Sequence, residues 1–475
     1  MPVTLISGAE MRRLEKDAFL AGADPLITME HAAEGVVSHL FQMDASPSAL
    51  FVCGTGNNGA DGLAAARLAR LRGAKCAVTL LGDMKIDEGK RNLRYLKYLD
   101  VPVSDVFPDR PASLGFNCVV DALWGTGFSG APRGRGREWI EKINLCGLPV
   151  LSVDIPSGMD ADTGETLGEC VNADRTVTFH ALKTGLYLSP RGEMCGERFV
   201  WDIGFLHTEK GFEALTEEDL PRLLPPPPST LHKGQAGRVL VLAGSKGKAG
   251  AAAMCALGAL RAGAGLVTIA CPDEIIPILQ TLVPNAMCVS VGDALASMPA
   301  FDVLAAGCGL GLGKEQRDHL LSFLARADRA VLDADGLTLL AGSPFSLPPI
   351  CVLTPHVGEG ARLLGTDSAA VLADLVGSAD TIAKKYRATV LLKSAVSVIA
   401  DGKASYLNIA GSPALAKGGT GDALCGVTAA CHCGAENAAA AARLAALRVG
   451  IAGEKGARLY GTRSMLTGEM LSLLR

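Results

Sequence analysis

Lys417-Gly418-Gly419-Thr420-Gly421-Asp422 runs into a stretch of small residues that ends at Gly434. Backbone amides almost free of side chains, leading into a predicted helix, suit an anion such as phosphate. Asp422 does not suit an anion, because it is negative itself. A carboxylate beside a phosphate cradle holds a metal, orients a hydroxyl or moves a proton. The combination points to chemistry at a phosphate, not only to phosphate binding.

A second constellation lies near the N-terminus. Gly54-Thr55-Gly56-Asn57-Asn58-Gly59-Ala60-Asp61-Gly62 reads as a loop after an apolar run. Asn tolerates φ > 0 and offers a carbonyl to a cation or an amide to a ligand. A plainer reading is a tight strand-to-helix turn with Asn in left-handed positions. Asp121-Ala122-Leu123-Trp124-Gly125-Thr126-Gly127-Phe128-Ser129-Gly130 places a strand-end Asp before another glycine loop, and Asp154-Ile155-Pro156-Ser157-Gly158 follows a third apolar run. Asn58, Asp121 and Ser157 offer only oxygens and one negative charge. That suits a monovalent cation such as potassium better than a divalent ion. Asp154 is left as a candidate acid/base. For either Asp the alternative is capping of the turn that follows.

In the second half, residues 244–252 are glycine-rich and basic but lack the Gly-Lys-Ser/Thr ending of a Walker loop. Gly307-Cys308-Gly309-Leu310-Gly311 follows an apolar strand, as does Thr354-Pro355-His356-Val357-Gly358-Glu359. His356, at a strand end before a turn, is a candidate ligand contact. Lys393, in Leu392-Lys393-Ser394-Ala395-Val396-Ser397, either reaches a phosphate or is simply solvated.

These residues need a scaffold. The 475-residue chain predicts two domains, with room for a third. Hydrophobic residues reach 49%, aromatics only 5%, and there are 56 Gly, which fits α/β layers rather than an all-β sandwich. Apolar strands alternating with helices predict parallel sheets covered on both faces, with ligands beyond the carboxyl ends of strands. Asp121 and Asp154 then converge near the Gly54 loop. In the first half strands are predicted at 50–53, 76–81, 118–121 and 150–154, with a helix at 63–72. In the second half strands are predicted at 239–243, 266–270, 303–306, 330–332, 351–353 and 390–392, and a buried helix at 249–262. Residues 221–229 hold four consecutive prolines, so a boundary is placed at 210–225 and the domains at 1–215 and 216–475.

The net charge of -4 shows no basic field for nucleic acid. The 14 Cys lie mostly in apolar settings, as buried thiols of a reducing compartment do. Cys431-His432-Cys433 lacks the second ligand pair of a structural zinc site. No unbroken run of 18 apolar residues and no signal-peptide core is visible. A cytoplasmic protein without membrane partners is expected.

The first-half segments resemble the N-terminal epimerase domain of the bifunctional NAD(P)H-hydrate repair enzymes, whose pattern is Gly-x-Gly-Asn-Asn-Gly-Gly-Asp-Gly. Ala60 replaces one glycine, and Met29-Glu30-His31-Ala32-Ala33 stands for the family's Met-Glu-Asn-Ala-Gly, so that His31 would alter substrate binding if it lies near the substrate. The second-half motifs, from about residue 224 onward, resemble the dehydratase half of the same enzymes, a ribokinase-like fold. Val357 there replaces a Pro, and Ser394 replaces a Gly.

The resemblance implies an α/β protein with a Rossmann-like three-layer N-terminal domain and a ribokinase-like three-layer C-terminal domain. It implies that Asn57, Asn58, Gly59, Ala60, Asp61, Gly125, Thr126, Gly127, Phe128, Ser129, Gly130, Ala131 and Asp154 hold the hydrated nucleotide. Asn58, Asp121 and Ser157 would hold potassium. Ala251, Gly309, Gly311, His356 and Asp422 would contact the substrate in the second domain. Lys393, Ser394, Ala395, Val396, Ser397, Gly419, Thr420 and Gly421 would bind the nucleotide co-substrate, ADP or alternatively ATP, with Mg2+. Asp422 would take the substrate hydroxyl's proton during phosphoryl transfer, before phosphate is eliminated. Asp154 would serve the epimerase. The partners implied are NADHX, NADPHX and ADP, with self-association into a homo-oligomer. A ribokinase-like kinase of a small alcohol or vitamin precursor shares the Asp422 loop but leaves Asn57 and Asn58 unexplained. A nucleotide-sensing scaffold is opposed by the presence of Asp154, Lys393 and Asp422.

Overall fold

The computed structural model describes residues 2–188, 192–208, 210–297, 300–341 and 346–474. The chain forms two compact units, one of Thr4–Phe212 and one of Glu213–Arg475 with the first three residues. No helix among the described residues is long and apolar enough to cross a membrane.

The first unit is built on strands β1 (Ser48–Cys53), β2 (Lys75–Leu80), β3 (Val103–Ser104), β4 (Cys118–Ala122), β5 (Val150–Val153), β6 (Arg175–Phe179) and β7 (Glu197–Trp201). They form one sheet in the order β3-β2-β1-β4-β5-β6-β7, and every pairing is parallel. Helices α1 (Gly8–Leu20), α2 (Pro25–Met43) and α3 (Asn57–Leu71) supply the apolar cluster with Phe51 and Val120, while α4 (Gly134–Leu145) packs Trp139 and Ile140 with Leu50 and Val119. Alternate residues of β1 thus feed opposite layers, as the strand period requires.

One expectation needs correcting here. Residues 54–62 do not form a loop, because α3 already begins at Asn57, after an extended Gly56. Neither Asn adopts φ > 0, so the left-handed-turn reading fails. Glycine is required for a different reason. A Cβ on Gly59 would lie 1.9 Å from Gly54 O, and one on Gly54 would lie 2.0 Å from Leu123 O. The β1 and β4 loops touch through their backbones.

The second unit holds β8 (Arg238–Leu242), β9 (Leu266–Cys271), β10 (Met287–Ser290), β11 (Val303–Ala306), β12 (Arg329–Leu332), β13 (Ile350–Leu353), β14 (Thr389–Leu392), β15 (Ser397–Ala400) and β16 (Ser405–Asn408). Their order is β10-β9-β8-β11-β12-β13-β14-β15-β16, parallel up to β14 and antiparallel beyond it. β10, β15 and β16 are absent from the sequence reading. β10 and β16 have half-buried or exposed positions, whereas β15 carries the buried run Val398-Ile399-Ala400 that the reading overlooked.

Helices α5 (Ala249–Arg261), α6 (Val357–Leu364), α7 (Thr420–Gly434) and α8 (Ala438–Tyr460) complete the part that matters for the site. The small residues of α5 and α7 let the two backbones meet. A Cβ on Gly426 would sit 1.8 Å from Cys255 O, and one on Gly258 would sit 2.3 Å from Ala423 O.

Candidate active sites

In the first unit the carboxyl ends of β1, β4 and β5 open onto a cavity of about 590 Å³. Asn57, Asn58, Asp61, Gly125, Thr126, Gly127, Phe128, Ser129 and Asp154 all line it. Gly59, Ala60, Gly130 and Ala131 are not among the lining residues. Gly59 is pressed against Gly54, and Ala60 is buried in the α2–α3 core. His31 is exposed and does not line the cavity either, whereas Met29 and Ala32 from the opposite face of α2 do.

Asp154 is held in a left-handed conformation, φ 68°, which is strained for a non-glycine residue. Its Oδ2 accepts the Thr126 amide at 3.2 Å and its Oδ1 accepts the Thr178 hydroxyl at 3.2 Å. Lys183 Nζ lies 2.8 Å from the same Oδ1 and donates to Thr178 Oγ1 and Phe179 O. Lys183 is absent from the sequence reading, because only Ala181-Leu182 separates it from His180 and no apolar run marks it. Two more acids crowd the pocket. Burial, with Asp154 and Glu15 nearby, pushes Asp61 well above the carboxylate range, and burial beside Asp154 raises Glu15.

Asp121 is fully buried. Its carboxylate accepts from Ser152 Oγ (2.9 Å), Ser157 N (2.9 Å), Ser157 Oγ (2.6 Å) and Leu123 N (3.3 Å). Burial raises its pKa, and these bonds work against the rise. Ser157 Oγ also accepts the Trp124 amide at 2.9 Å. Asn58 differs: its amide oxygen and nitrogen are both buried without a hydrogen-bond partner among the described residues. Gly125 separates it from the acid, since a Cβ there would lie 2.9 Å from Asp154 Oδ2 and 3.2 Å from Asn58 Oδ1. An orphaned, buried amide oxygen is chemically suited to a weakly charged cation. Of Asn58, Asp121 and Ser157, Asn58 has its amide oxygen open, whereas the Asp121 carboxylate already accepts four hydrogen bonds.

In the second unit α7 starts after Gly419, whose φ of 91° only glycine adopts freely, and no side chain caps the helix. The Thr420 amide donates to Lys417 O at 3.3 Å, and no side chain caps the Gly421 and Asp422 amides that follow. Asp422 sits in this first turn, and its carboxyl is pushed up to about 6 by burial and by Asp333, while the Cys308 thiol and Lys393 oppose the rise.

Lys393 is not solvated. Its Nζ lies 2.7 Å from Asp333 Oδ1, and a Cβ on Gly421 would be 3.3 Å from that Nζ. Burial lowers the Lys393 pKa, but Asp333 and Glu359 outweigh it and the net shift is upward. Asp333 was missed in the sequence, yet it follows an apolar strand just as Asp121 does.

His356 caps a helix through one ring nitrogen. Its Nδ1 accepts the Gly358 and Glu359 amides as the cap of α6, and Glu359 returns the bond to the His356 amide at 2.9 Å. Val357 occupies the first helical position, where a proline is also tolerated. Ala251 and Gly309 meet, since a Cβ on Gly309 would be 3.0 Å from Ala251 Cβ. Gly311 N donates to Asp335 Oδ2 at 2.8 Å, which Lys248 also contacts at 3.2 Å. Ser394, Ala395 and Val396 form the turn into β15, which Ser397 begins.

A glycine-cradled helix start with an acid in its first turn, at the end of a largely parallel sheet, defines the second unit as ribokinase-like. A ribokinase-like superfamily protein of Enterococcus faecalis shares this fold at 26% identity, with a TM-score of 0.51 over 56% of this chain and 95% of that one. Residues 239–475 match the family described as NAD(P)H-hydrate dehydratase, and residues 25–185 match the YjeF-related protein N-terminus. The bifunctional NAD(P)H-hydrate repair enzyme of Moorella thermoacetica is 36% identical over 99% of this chain and 96% of its own. That of Escherichia coli is 34% identical over 100% and 94%. The ADP/ATP-dependent NAD(P)H-hydrate dehydratase of Bacillus subtilis, co-crystallized with ATP/Mg2+, superposes with a TM-score of 0.52 at 29% identity, over 56% of this chain and 96% of that one. The chain belongs to the bifunctional NAD(P)H-hydrate repair enzymes.

Proposed function

We propose that this chain restores hydrated NADH and NADPH at two separate sites, an epimerase in residues 1–215 and an ADP-dependent dehydratase in residues 216–475. The observation that carries the reading is Asp422 in the first turn of an uncapped helix, beside the Lys393–Asp333 pair. Asp422, raised toward neutrality, accepts the proton of the substrate hydroxyl. The hydroxyl oxygen attacks the terminal phosphorus of the nucleotide, and the bond to the leaving phosphate breaks. The amides of Gly419 and Gly421 and the Lys393 charge stabilise the negative charge in transit. The ring carbon–oxygen bond then breaks, inorganic phosphate leaves, and the adjacent ring carbon gives up a proton to solvent as the dihydronicotinamide double bond forms.

Asp333 and Asp335 are each committed to a lysine, so Mg2+ fits this site as an ion carried by the nucleotide phosphates, whose charge it neutralises. In the first unit Asp154, oriented by Lys183 and Thr178, takes the proton of the hydrated carbon's hydroxyl as the ring carbon–nitrogen bond opens to an aldehyde, and returns it when the nitrogen re-adds to either face, so that the two epimers interconvert. Asn58, backed by Asp121 and Ser157, would hold potassium, which supplies positive charge beside the substrate's phosphates. ADP is the favoured donor by family resemblance. All 14 cysteines are free thiols, which supports a reducing, cytoplasmic setting. Exposed Leu145 and Leu206 offer apolar surface for self-association.

The test is incubation of the full chain with hydrated NADH and ADP, following dihydronicotinamide absorbance. Recovery of both epimers is expected. No recovery with either ADP or ATP would overturn the reading in favour of a small-alcohol kinase or a nucleotide sensor.

A further inference from the structure

Cys255 of α5, Cys308 after β11 and Cys425 of α7 bring three sulfurs together, all within 4.8 Å of one another. Each of the three side chains is buried, and all are free thiols. They meet because Gly426 lets α7 close onto the Cys255 carbonyl. The cluster adjoins the dehydratase site, since Cys425 lies one helical turn after Asp422 on α7. Nothing in the proposed phosphoryl transfer uses these sulfurs.

We propose that the three cysteines form a site for a soft, thiophilic d10 cation of the Zn2+ class, completed by Asp422, which stands outside the three-sulfur group and turns in as fourth ligand. Metal–sulfur bonds of about 2.3 Å in a tetrahedron need sulfurs about 3.8 Å apart. Starting from 4.8 Å or less, the ring contracts by at most about 1 Å. Binding is a ligand exchange without redox change. The ion gains three thiolates and one carboxylate, and three thiol protons leave to solvent. Three sulfurs and one oxygen on a closed tetrahedron leave no coordination position for substrate. The consequence rests on the dehydratase reading above: Asp422 bound to the ion no longer accepts the hydroxyl proton. Zinc-class ions therefore switch off the second unit and spare the first.

The experiment uses the full chain, reduced, metal-stripped and kept anaerobic, titrated with Zn2+ alone. X-ray absorption of the first equivalent is expected to show three sulfurs at about 2.3 Å and one oxygen at about 2.0–2.2 Å. Dehydratase activity is expected to fall at least tenfold with that equivalent and to return with chelator, while epimerase activity stays constant. Cys255→Ala should bind zinc about 100-fold more weakly and escape inhibition. If that variant fails to fold, the sulfur count in the wild-type chain still decides. Fewer than three sulfurs around the first zinc, or equal inhibition of a folded Cys255→Ala variant, would overturn the proposal. A chain with no dehydratase activity before zinc is added refutes the functional reading instead, and the sulfur count then still tests the site.

Discussion

Lys183 Nζ lies 2.8 Å from Asp154 Oδ1, and the lysine is entirely withdrawn from solvent. A buried cation is sustained by its partner, and the partner by the cation. Lys183→Met leaves Asp154 as an uncompensated buried charge. The first unit should lose about 3–5 kcal/mol of stability, read by urea unfolding, and the epimerase should lose activity. Dehydration of the already competent epimer should persist. Unchanged unfolding in Lys183→Met would show that the pair carries no such energy.

Asp422→Asn keeps the shape of the first turn of α7 and removes the proton acceptor. Dehydratase kcat is expected to drop by about 10² to 10⁴. Epimerisation, measured by the loss of optical enrichment in a single hydrated epimer, should continue. A drop of less than tenfold would remove Asp422 from the base role.

Asn58 presents an orphaned amide. Moving the protein into potassium-free buffer should lower epimerase activity without touching the dehydratase. Asn58→Leu should be insensitive to potassium. In potassium-free buffer the same variant should also be more stable than wild type, because an unpaired buried amide costs about 1–3 kcal/mol. Equal potassium responses in the two proteins would contradict the cation assignment.

His432 lies in α7 with its Nδ1 unpaired, and burial lowers its pKa from 6.5 to about 4, with Arg329 adding to the effect. The unfolded chain therefore binds a proton between pH 6.5 and about 4 that the folded chain refuses. Stability of the second unit falls as pH drops through that window, by about 3 kcal/mol at its lower end, and is unaffected by this group above it. His432→Gln should flatten that part of the stability profile. A wild-type slope that survives the substitution would assign it to other groups.

Much of the architecture was legible because parallel strands buried on both faces leave continuous apolar runs. The strands at 239–243, 303–306 and 351–353 are found within a residue of their expected bounds. Residues that end such runs, Asp121, Asp154 and Lys393, sit at the site edges. The same rule should have selected Asp333, which closes the ion pair of the second site; Lys183 follows only Ala181-Leu182 after His180 and gives no such signal. What composition hides is commitment. His356 Nδ1 is taken up in capping α6, and Asp121 is saturated by four donors. Which of a residue's bonds are already used depends on tertiary neighbours, and spacing along the chain does not record them. The start of α3 at Asn57 was hidden for a related reason: glycines needed for close backbone contact look the same as glycines needed for a turn.

The contact of Gly258 and Gly426 between α5 and α7 has a consequence for heat inactivation. Ala251 and Asp422, the proposed substrate contact and base, ride on two helices whose backbones touch, so they cannot drift apart while the helices stay packed. Heating then has no mild first stage in which the second unit is folded but idle. Its catalytic loss and its melting belong to a single event.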